Sequence, residues 1–191
     1  TLNGGTLRGS NGFGQYWDGN ITLGAHSTIE AMNNFYIDGV ISGSSKNLTK
    51  TGNGNLLLRG NNTYTGSTTI SAGTLTLSGS GNLGAGSYAG AIANSGTFKF
   101  DTSANFISTG VISGSGVVNV SGAGIFEPTA TNTYTGGTII DGGKIAAKTD
   151  RNFGANPSSD DPDNVLLRNT GTIYFGSVNS SNSLGHVNFG Y

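Results

Sequence analysis

The sequence predicts an all-β solenoid of about eight coils, and three observations lead to this prediction. Gly, Ser, Thr and Asn supply 34, 22, 23 and 22 of the 191 residues, so just over half of the chain consists of small polar or flexible residues. The hydrophobic residues, 34% of the total, occur in short packets bounded by Gly and Asn. Several of these packets recur along the chain at a nearly constant interval.

The composition excludes several classes of protein. The chain has no Cys, only 3 Pro and only two Glu, which argues against a disulfide scaffold, collagen and a helical bundle. Charged residues make up 10%, the net charge is -1, and the basic residues are scattered singly, so a nucleic-acid partner is not expected. No apolar run approaches the roughly 18 residues of a membrane helix, and no membrane span is expected in this segment.

The hydrophobic packets have the chemistry of short β-strands. Packets such as 56–58, 117–118 and 139–140 consist of Leu, Val and Ile, and Gly or Asn turn residues flank nearly all of them. A Gly- and Ser-rich composition is also typical of disordered chains, but their hydrophobic residues are not gathered into packets. In 75–77, the alternation predicts that Leu75 and Leu77 point inward and that Thr76 points outward.

An internal repeat of about 70 residues organises the chain. The segment Gly39–Ser44 returns as Gly110–Ser115, and Asn62–Gly66 returns as Asn132–Gly136. Because these offsets are nearly equal, we interpret the chain as one solenoid segment that contains a partial copy and two fuller copies. The predicted units are a single domain 1–191, a partial repeat 1–38, and repeats 39–109 and 110–191.

The spacing of three strand residues predicts the length of one coil. Leu56, Leu75 and Phe98 each lie in an alternating strand, and they follow one another at intervals of about 20 residues. The longer repeat then corresponds to about three coils. We expect Gly and Asn at the corners, where positive φ angles are needed, and stacked Asn side chains that form ladders.

One stretch of the chain resembles a known repeat family. Residues 48–58, 60–70 and 72–77 look like the autotransporter-associated β-strand repeat, and residues 120–126 replace part of that pattern in the second copy. The resemblance implies a right-handed parallel β-helix in the passenger region of a secreted bacterial surface protein. It also implies an extended, surface-exposed rod with a role in adhesion, aggregation or display.

The function predicted from these observations is structural. We expect a non-enzymatic, extracellular scaffold or adhesin stalk of the passenger type, whose neighbours are further coils of the same longer chain. As an alternative, identical subunits form an extracellular filament, with strands near Leu2 and Leu7 pairing end to end with strands near Val187 and Phe189. A carbohydrate-active β-helix enzyme is the third and weakest alternative.

Residues suited to catalysis or metal binding are scarce, and we predict no catalytic residue and no cofactor. His26 and His186 lie in turn-like contexts, and most carboxylates, including Asp38 and Asp101, are isolated at turns. The acidic cluster in the region that carries the second copy's extra residues is a weak calcium candidate, although we favour a solvated loop. Its residues are Asp160, Asp161 and Asp163.

An aromatic segment at 11–19 is the predicted ligand-binding region. Phe13, Tyr16 and Trp17 lie among glycines, and exposed aromatic residues of this kind bind host or matrix glycans or proteins. The alternative is that Phe13 and Trp17 plug the end of the core. Tyr64 and Tyr134 occupy equivalent repeat positions and are expected to be structural.

Thr-x-Thr segments raise one further possibility, because flat threonine arrays on solenoids bind ice. The segments begin at Thr49, Thr63, Thr74 and Thr133, and the last is far from the others. These unequal spacings predict that no threonine ladder forms, and that Thr serves as a strand-forming residue.

Overall fold

The computed structural model describes residues 1–10, 12–155 and 164–175 of the chain. These residues form short β-strands and two 3₁₀ turns, at Gly84–Gly86 and Asp150–Phe153. The strands, numbered in chain order, are β1 Thr6–Gly9, β2 Gln15–Trp17, β3 Ile21–Thr22, β4 Ser27–Ala31, β5 Phe35–Ile37, β6 Ile41–Ser42, β7 Leu48–Thr51, β8 Asn55–Leu58, β9 Thr68–Ile70, β10 Thr74–Gly79, β11 Ser87–Tyr88, β12 Ile92–Asn94, β13 Thr97–Thr102, β14 Phe106–Ser108, β15 Ile112–Ser113, β16 Val117–Val120, β17 Ile125–Pro128, β18 Thr138–Asp141, β19 Lys144–Ala147, β20 Val165–Arg168 and β21 Thr172–Phe175.

The described strands stack in parallel into three long faces around one core. The six-strand face contains β1, β4, β7, β9, β12 and β15, and the eight-strand face contains β2, β5, β8, β10, β13, β16, β18 and β20. The five-strand face contains β11, β14, β17, β19 and β21, and the pair β3 and β6 takes its place in the first coils. This arrangement confirms the predicted all-β parallel solenoid of about eight coils, with about seven turns between the first and last strands of the longest face.

The register of the eight-strand face confirms the predicted coil length. Leu75 lies opposite Leu56 in one neighbouring coil and opposite Phe98 in the other, and all three side chains are fully buried. The column of inward residues continues from Phe98 to Val118. Each coil therefore adds one apolar residue to a continuous core column, which is the main source of hydrophobic stabilisation.

The predicted alternation within β10 holds for Leu75 and Leu77, which are both fully buried. Thr76 is only 2% exposed, although it lies on the outer side of the strand. It lies between Leu57 and Lys99 in the register, and its hydroxyl donates to Asn55 Oδ1 at 2.8 Å. An outward position in the middle of a wide face is therefore not an exposed one, because side chains of the neighbouring coils cover it.

A threonine ladder runs along the six-strand face, so the prediction that none forms is wrong. Thr6, Thr28, Thr49 and Thr69 lie opposite one another in four successive coils. The prediction failed because it compared distances between similar tripeptides, whereas a ladder depends on which residues share a register position. A Thr-x-Thr array would need a second column of threonines two residues further along each strand. In the first two coils that position holds Arg8 and Glu30, which form an ion pair, so there the ladder has one column only.

The two copies of the internal repeat lie on different faces. Leu56 belongs to β8 on the eight-strand face, and its counterpart in the second copy, Phe126, belongs to β17 on the five-strand face. Three coils beyond β8 the chain is in β16, and β17 is the next strand. The repeat therefore spans three coils and one further face. It is about a third of a turn longer than the three coils we expected.

Asparagine side chains at the corners connect successive coils. Asn62 Oδ1 accepts a hydrogen bond from the Ile41 N–H at 2.9 Å, and its Nδ2 donates to the Asn82 carbonyl at 2.9 Å. Asn132 makes equivalent bonds with the Ile112 N–H and the Asn152 carbonyl, at 2.8 Å and 2.7 Å. These side chains bind backbone groups of the coils above and below, rather than forming the amide-to-amide ladder we expected.

Close backbone contact at the corners explains part of the glycine content. A Cβ added to Gly66 would lie 2.2 Å from the Lys46 carbonyl oxygen in the neighbouring coil. Gly52 combines such a contact, 2.3 Å from the Ala31 oxygen, with a φ of 78°. At these corners a side chain would separate the coils, so only glycine permits the strand spacing of about 4.8 Å.

Replacement of Gly66 by alanine should therefore destabilise the solenoid by roughly 1–3 kcal/mol, near the upper end because the obstructing atom is backbone. Gly5→Ala is the matched control, because nothing lies within 4 Å of its added Cβ, and we expect a change within about 0.5 kcal/mol. Urea unfolding followed by circular dichroism measures both values. Equal stability of the two variants would contradict the close-contact explanation.

Candidate functional site

The three aromatic residues predicted to bind a ligand lie in the first coil, in different environments. Phe13 is fully exposed in the turn before β2, and Tyr16 is 63% exposed on the outer side of that strand. Trp17 lies opposite the buried Ile37 in the register, but in this first coil it is itself 41% exposed. All three predicted aromatic residues are therefore exposed to different degrees.

Tyr16 is the first member of a stack of aromatic rings and a guanidinium group, which the sequence did not predict. Its ring lies parallel to that of Tyr36 in the next coil, with the centroids 4.5 Å apart. The Arg59 guanidinium, one coil further on, lies 5.4 Å from the Tyr36 ring centroid and forms an ion pair with Asp38 at 3.1 Å. The predicted coil length could have revealed this set, because its members lie about one coil apart in sequence.

A groove of about 570 Å³ follows the corner between the six-strand and eight-strand faces. We refer to it as the corner groove, and its lining comes from the turns of the first coils. Phe13 and Met32 are the large apolar residues of the lining, and the polar side chains are those of four Asn residues and Thr74. The lining residues are Gly12, Phe13, Gly14, Met32, Asn33, Asn34, Asn53, Gly54, Asn55 and Thr74.

The corner groove borders the tyrosine stack. A Cβ on Gly14 would lie 3.0 Å from Cε2 of Tyr36 and 3.9 Å from Cε2 of Tyr16, so the rings lie against the backbone of this glycine. Phe13 precedes Gly14 directly in the chain and the tyrosine rings lie against Gly14, so exposed aromatic groups occur both in the corner groove and beside it. This arrangement can stack a planar or ring-shaped ligand and hydrogen-bond to it through the amides.

The carboxylates of the described residues mostly pair with cations or polar groups on the outer faces. Asp38 and Asp101 lie three coils apart along the eight-strand face, as expected, and Asp101 contacts Lys99 at 3.3 Å. Asp18 and Asp38 directly follow the paired strands β2 and β5, an adjacency that the sequence reasoning missed. Arg59 engages Asp38, and neither Asp18 nor Asp38 lines the corner groove.

Metal-binding groups do not gather in the part of the chain that the structure describes. Within residues 1–10, 12–155 and 164–175, no group of three or more His, Asp or Glu side chains could hold a metal ion. The calcium candidates Asp160, Asp161 and Asp163 lie outside these residues, as does His186. His26 Nδ1 accepts a hydrogen bond from the Asn47 N–H at 3.0 Å, which links two coils.

Buried hydroxyl groups fix the interior near the corners. The Tyr64 hydroxyl is 2.7 Å from Thr68 Oγ1, which is 2.8 Å from the Tyr88 hydroxyl. Burial raises the pKa of Tyr64 well above its usual value and that of Tyr88 to about 12. Tyr134 repeats the contact with Thr138 at 2.6 Å. These tyrosines are neutral, hydrogen-bonded core residues.

A lysine lies inside the core, where sequence reasoning did not expect a charged group. Lys50 is fully buried in β7, opposite Ile29 and Ile70. Its ammonium donates to the carbonyls of Thr51, Gly52 and Ala72 at 3.0, 2.6 and 3.0 Å. Burial lowers the pKa of Lys50 from 10.5 to about 8. Its local sequence does not indicate this position, because Lys50 lies among threonines as a surface lysine would.

The pH dependence of folding should report this buried amine. Between pH 8 and 10.5 the folded chain releases the Lys50 proton while the unfolded chain keeps it, so stability rises with pH. Relative to Lys50→Met, the wild type should gain roughly 3 kcal/mol over this range. Urea unfolding of both proteins at several pH values measures the difference. Parallel pH profiles would show that Lys50 does not titrate in this way.

Comparison with known families identifies the repeat. A family model described as the passenger-associated-transport-repeat matches residues 48–77 and 113–147. No curated protein and no solved structure matches the chain significantly. The first match coincides with the stretch that resembles the autotransporter repeat, and the second falls on the later copy, so the predicted resemblance is confirmed. The chain is a parallel β-solenoid, and two of its segments match the passenger-associated-transport-repeat, which is consistent with the β-helix repeats of autotransporter passengers.

Proposed function

We propose that this segment is a non-enzymatic stalk of an autotransporter-type passenger, located outside the cell, where it holds surface loops away from the membrane. The observation that carries the proposal is the uninterrupted parallel stack of the eight-strand face, from β2 to β20. In such a stack each coil contacts only its neighbours, so length is gained by adding coils. The two passenger repeats supply the expected setting at a bacterial surface.

The outer surface supports a structural rather than a catalytic role. Six of the charged residues in the described part form ion pairs, which are Arg8 with Glu30, Arg59 with Asp38 and Lys99 with Asp101. The corner groove is lined by uncharged residues, without the paired carboxylates of a glycoside hydrolase. Among residues 1–10, 12–155 and 164–175, no helix has the length and apolar character needed to cross a membrane.

The rotation of the repeat by one face also suits a rod that displays loops. Since one repeat spans three coils and one further face, Tyr64 and Tyr134 lie on different sides of the rod, although their local contacts are alike. A loop inserted at the same position in successive copies would point in a new direction each time. Variable loops can therefore surround such a stalk without lying directly above one another.

Deletion of a whole coil tests the stalk proposal. Removal of residues 35–55 joins Asn34 to Leu56, which is the register partner of Phe35. It also places β4 on β9, because Leu48 lies opposite both Ser27 and Thr68. The shortened protein should unfold cooperatively, with a lower midpoint, and should still be detected by antibody on intact producing cells.

Deletion of residues 35–45 is the matched control, because it removes only half a coil and places β7, a strand of the six-strand face, where β5 of the eight-strand face should lie. The later strands and corners then no longer stack on their partners. We expect loss of cooperative unfolding and of surface detection. If both deletions were equally harmful, or if antibody reached the wild-type chain only after permeabilisation of the cells, the stalk proposal would fail.

End-to-end assembly into a filament is a second candidate, favoured by the edge of the first coil. Within the described residues β1 pairs only with β4, and Leu2 and Leu7 are partly buried against the core below. An unpaired parallel edge of this kind accepts another strand. The partner strands proposed from the sequence, near Val187 and Phe189, lie outside the described residues.

Electron microscopy of the purified chain at increasing concentration tests the filament candidate. Filaments should lengthen with concentration, and Leu7→Lys should suppress them because it places a charge at the joining edge. Dispersed rods of about 40 Å, the length of eight coils, at every concentration would rule this assembly out.

A further inference from the structure

We propose that the corner groove is a binding site for an uncharged glycan, a function beyond that of a stalk. The site combines an exposed aromatic surface with amide groups that come from successive coils. Its volume of about 570 Å³ lies within the range of about 300–1,000 Å³ that is typical of small-molecule sites, which is enough for a short oligosaccharide.

The aromatic surface is the first support for this site. Phe13 exposes its whole side chain, and Met32 beside it is 39% exposed. Exposed apolar groups of this size, grouped next to a groove, mark binding sites on soluble proteins. The pyranose ring of a sugar has an apolar face of C–H groups, which packs on an aromatic ring such as that of Phe13 or Tyr16.

The amides are the second support. Asn33 and Asn34 come from one turn, and Asn53 and Asn55 come from the next. The side chains of Asn34 and Asn53 are exposed and have no hydrogen-bond partner among the described residues. Each amide both donates and accepts hydrogen bonds, as a sugar hydroxyl does. Asn33 Nδ2 donates to the Gly12 carbonyl at 3.4 Å and Asn55 Oδ1 accepts from Thr76. Asn34 and Asn53, one from each of two neighbouring turns, therefore offer the available amides for successive sugar hydroxyls.

The charge of the lining selects the class of glycan. Every residue that lines the corner groove is uncharged. The Lys50 ammonium lies at the same corner, but the residue is buried and its ammonium is bound by the carbonyls of Thr51, Gly52 and Ala72. Arg59 is held by Asp38 on the eight-strand face. A sulfated, phosphorylated or sialylated sugar would find no free cation in the described lining, so the site fits a neutral glycan.

The backbone at the groove argues against an extended peptide as the occupant. The Gly54 N–H donates to the Ala31 carbonyl, and the Gln15 N–H donates to the Asn34 carbonyl, both at 2.9 Å. The Thr74 N–H donates to the Gly54 carbonyl at 3.1 Å. These groups already join one coil to the next, so strand addition, the usual way to bind an extended peptide at a sheet, is not available.

A glycan array followed by calorimetry tests the site with defined probes. The array contains neutral cello-, chito-, manno- and galacto-oligosaccharides beside sialylated and sulfated glycans, and the neutral glycan that binds best is titrated into wild type and variants. We expect Phe13→Ala and Asn53→Ala to weaken its binding at least tenfold. Ile107→Ala is the matched control, because Ile107 is 37% exposed on the five-strand face, away from the groove, and should leave affinity unchanged.

Circular dichroism of each variant separates loss of binding from loss of fold, since Phe13 and Asn53 lie on the surface. Absence of binding to any neutral glycan would overturn the proposal, as would preference for the anionic probes. Binding that survives Phe13→Ala, or that Ile107→Ala weakens equally, would place the ligand elsewhere and also overturn it. None of these results affects the stalk proposal, which depends on coil deletion and surface detection.

Discussion

The stacking of each coil on the next at strand spacing is the constraint on which the rest of this structure depends. Parallel strands about 4.8 Å apart bring every corner within van der Waals contact of the corner below. At Gly66 and Gly52 there is room only for hydrogen. Larger residues are allowed at other corners, as at Asn62 and Asn132. Their side chains form hydrogen bonds with backbone groups of the adjacent coils, which have no strand partner at a corner.

The same stacking explains which features were predictable from the sequence. Leu56, Leu75 and Phe98 indicated the coil length, because each lies inward in a strand of period two and a shift of one residue would turn it outward. The threonine ladder was missed because its members, Thr6, Thr28, Thr49 and Thr69, lie in dissimilar local sequences. Local similarity identifies copies of a motif, whereas register identifies neighbours in space.

The candidate site shows the same limit. Phe13 and Tyr16 were identified because aromatic residues among glycines stand out locally. Tyr36 and Arg59 were not, because their relation to Tyr16 exists only when the coils are stacked. Lys50 was missed for another reason: its aliphatic stem fills the position of an isoleucine in the core column, while its ammonium reaches carbonyl oxygens at the corner.

Stacking also accounts for the low charge of the chain. An outward residue has the equivalent residue of the next coil about 4.8 Å away, so a charge repeated in every coil would form a destabilising column of like charges. The described faces instead carry few charges, and some of these form pairs of opposite sign, such as Arg8 with Glu30 and Lys99 with Asp101. Thr, Ser and Asn carry no such penalty, and Gly is required at the tightest corners, so a long parallel stack selects the composition of this chain. Any ligand site on its surface must then be built mainly from amides, hydroxyls and a few aromatic rings.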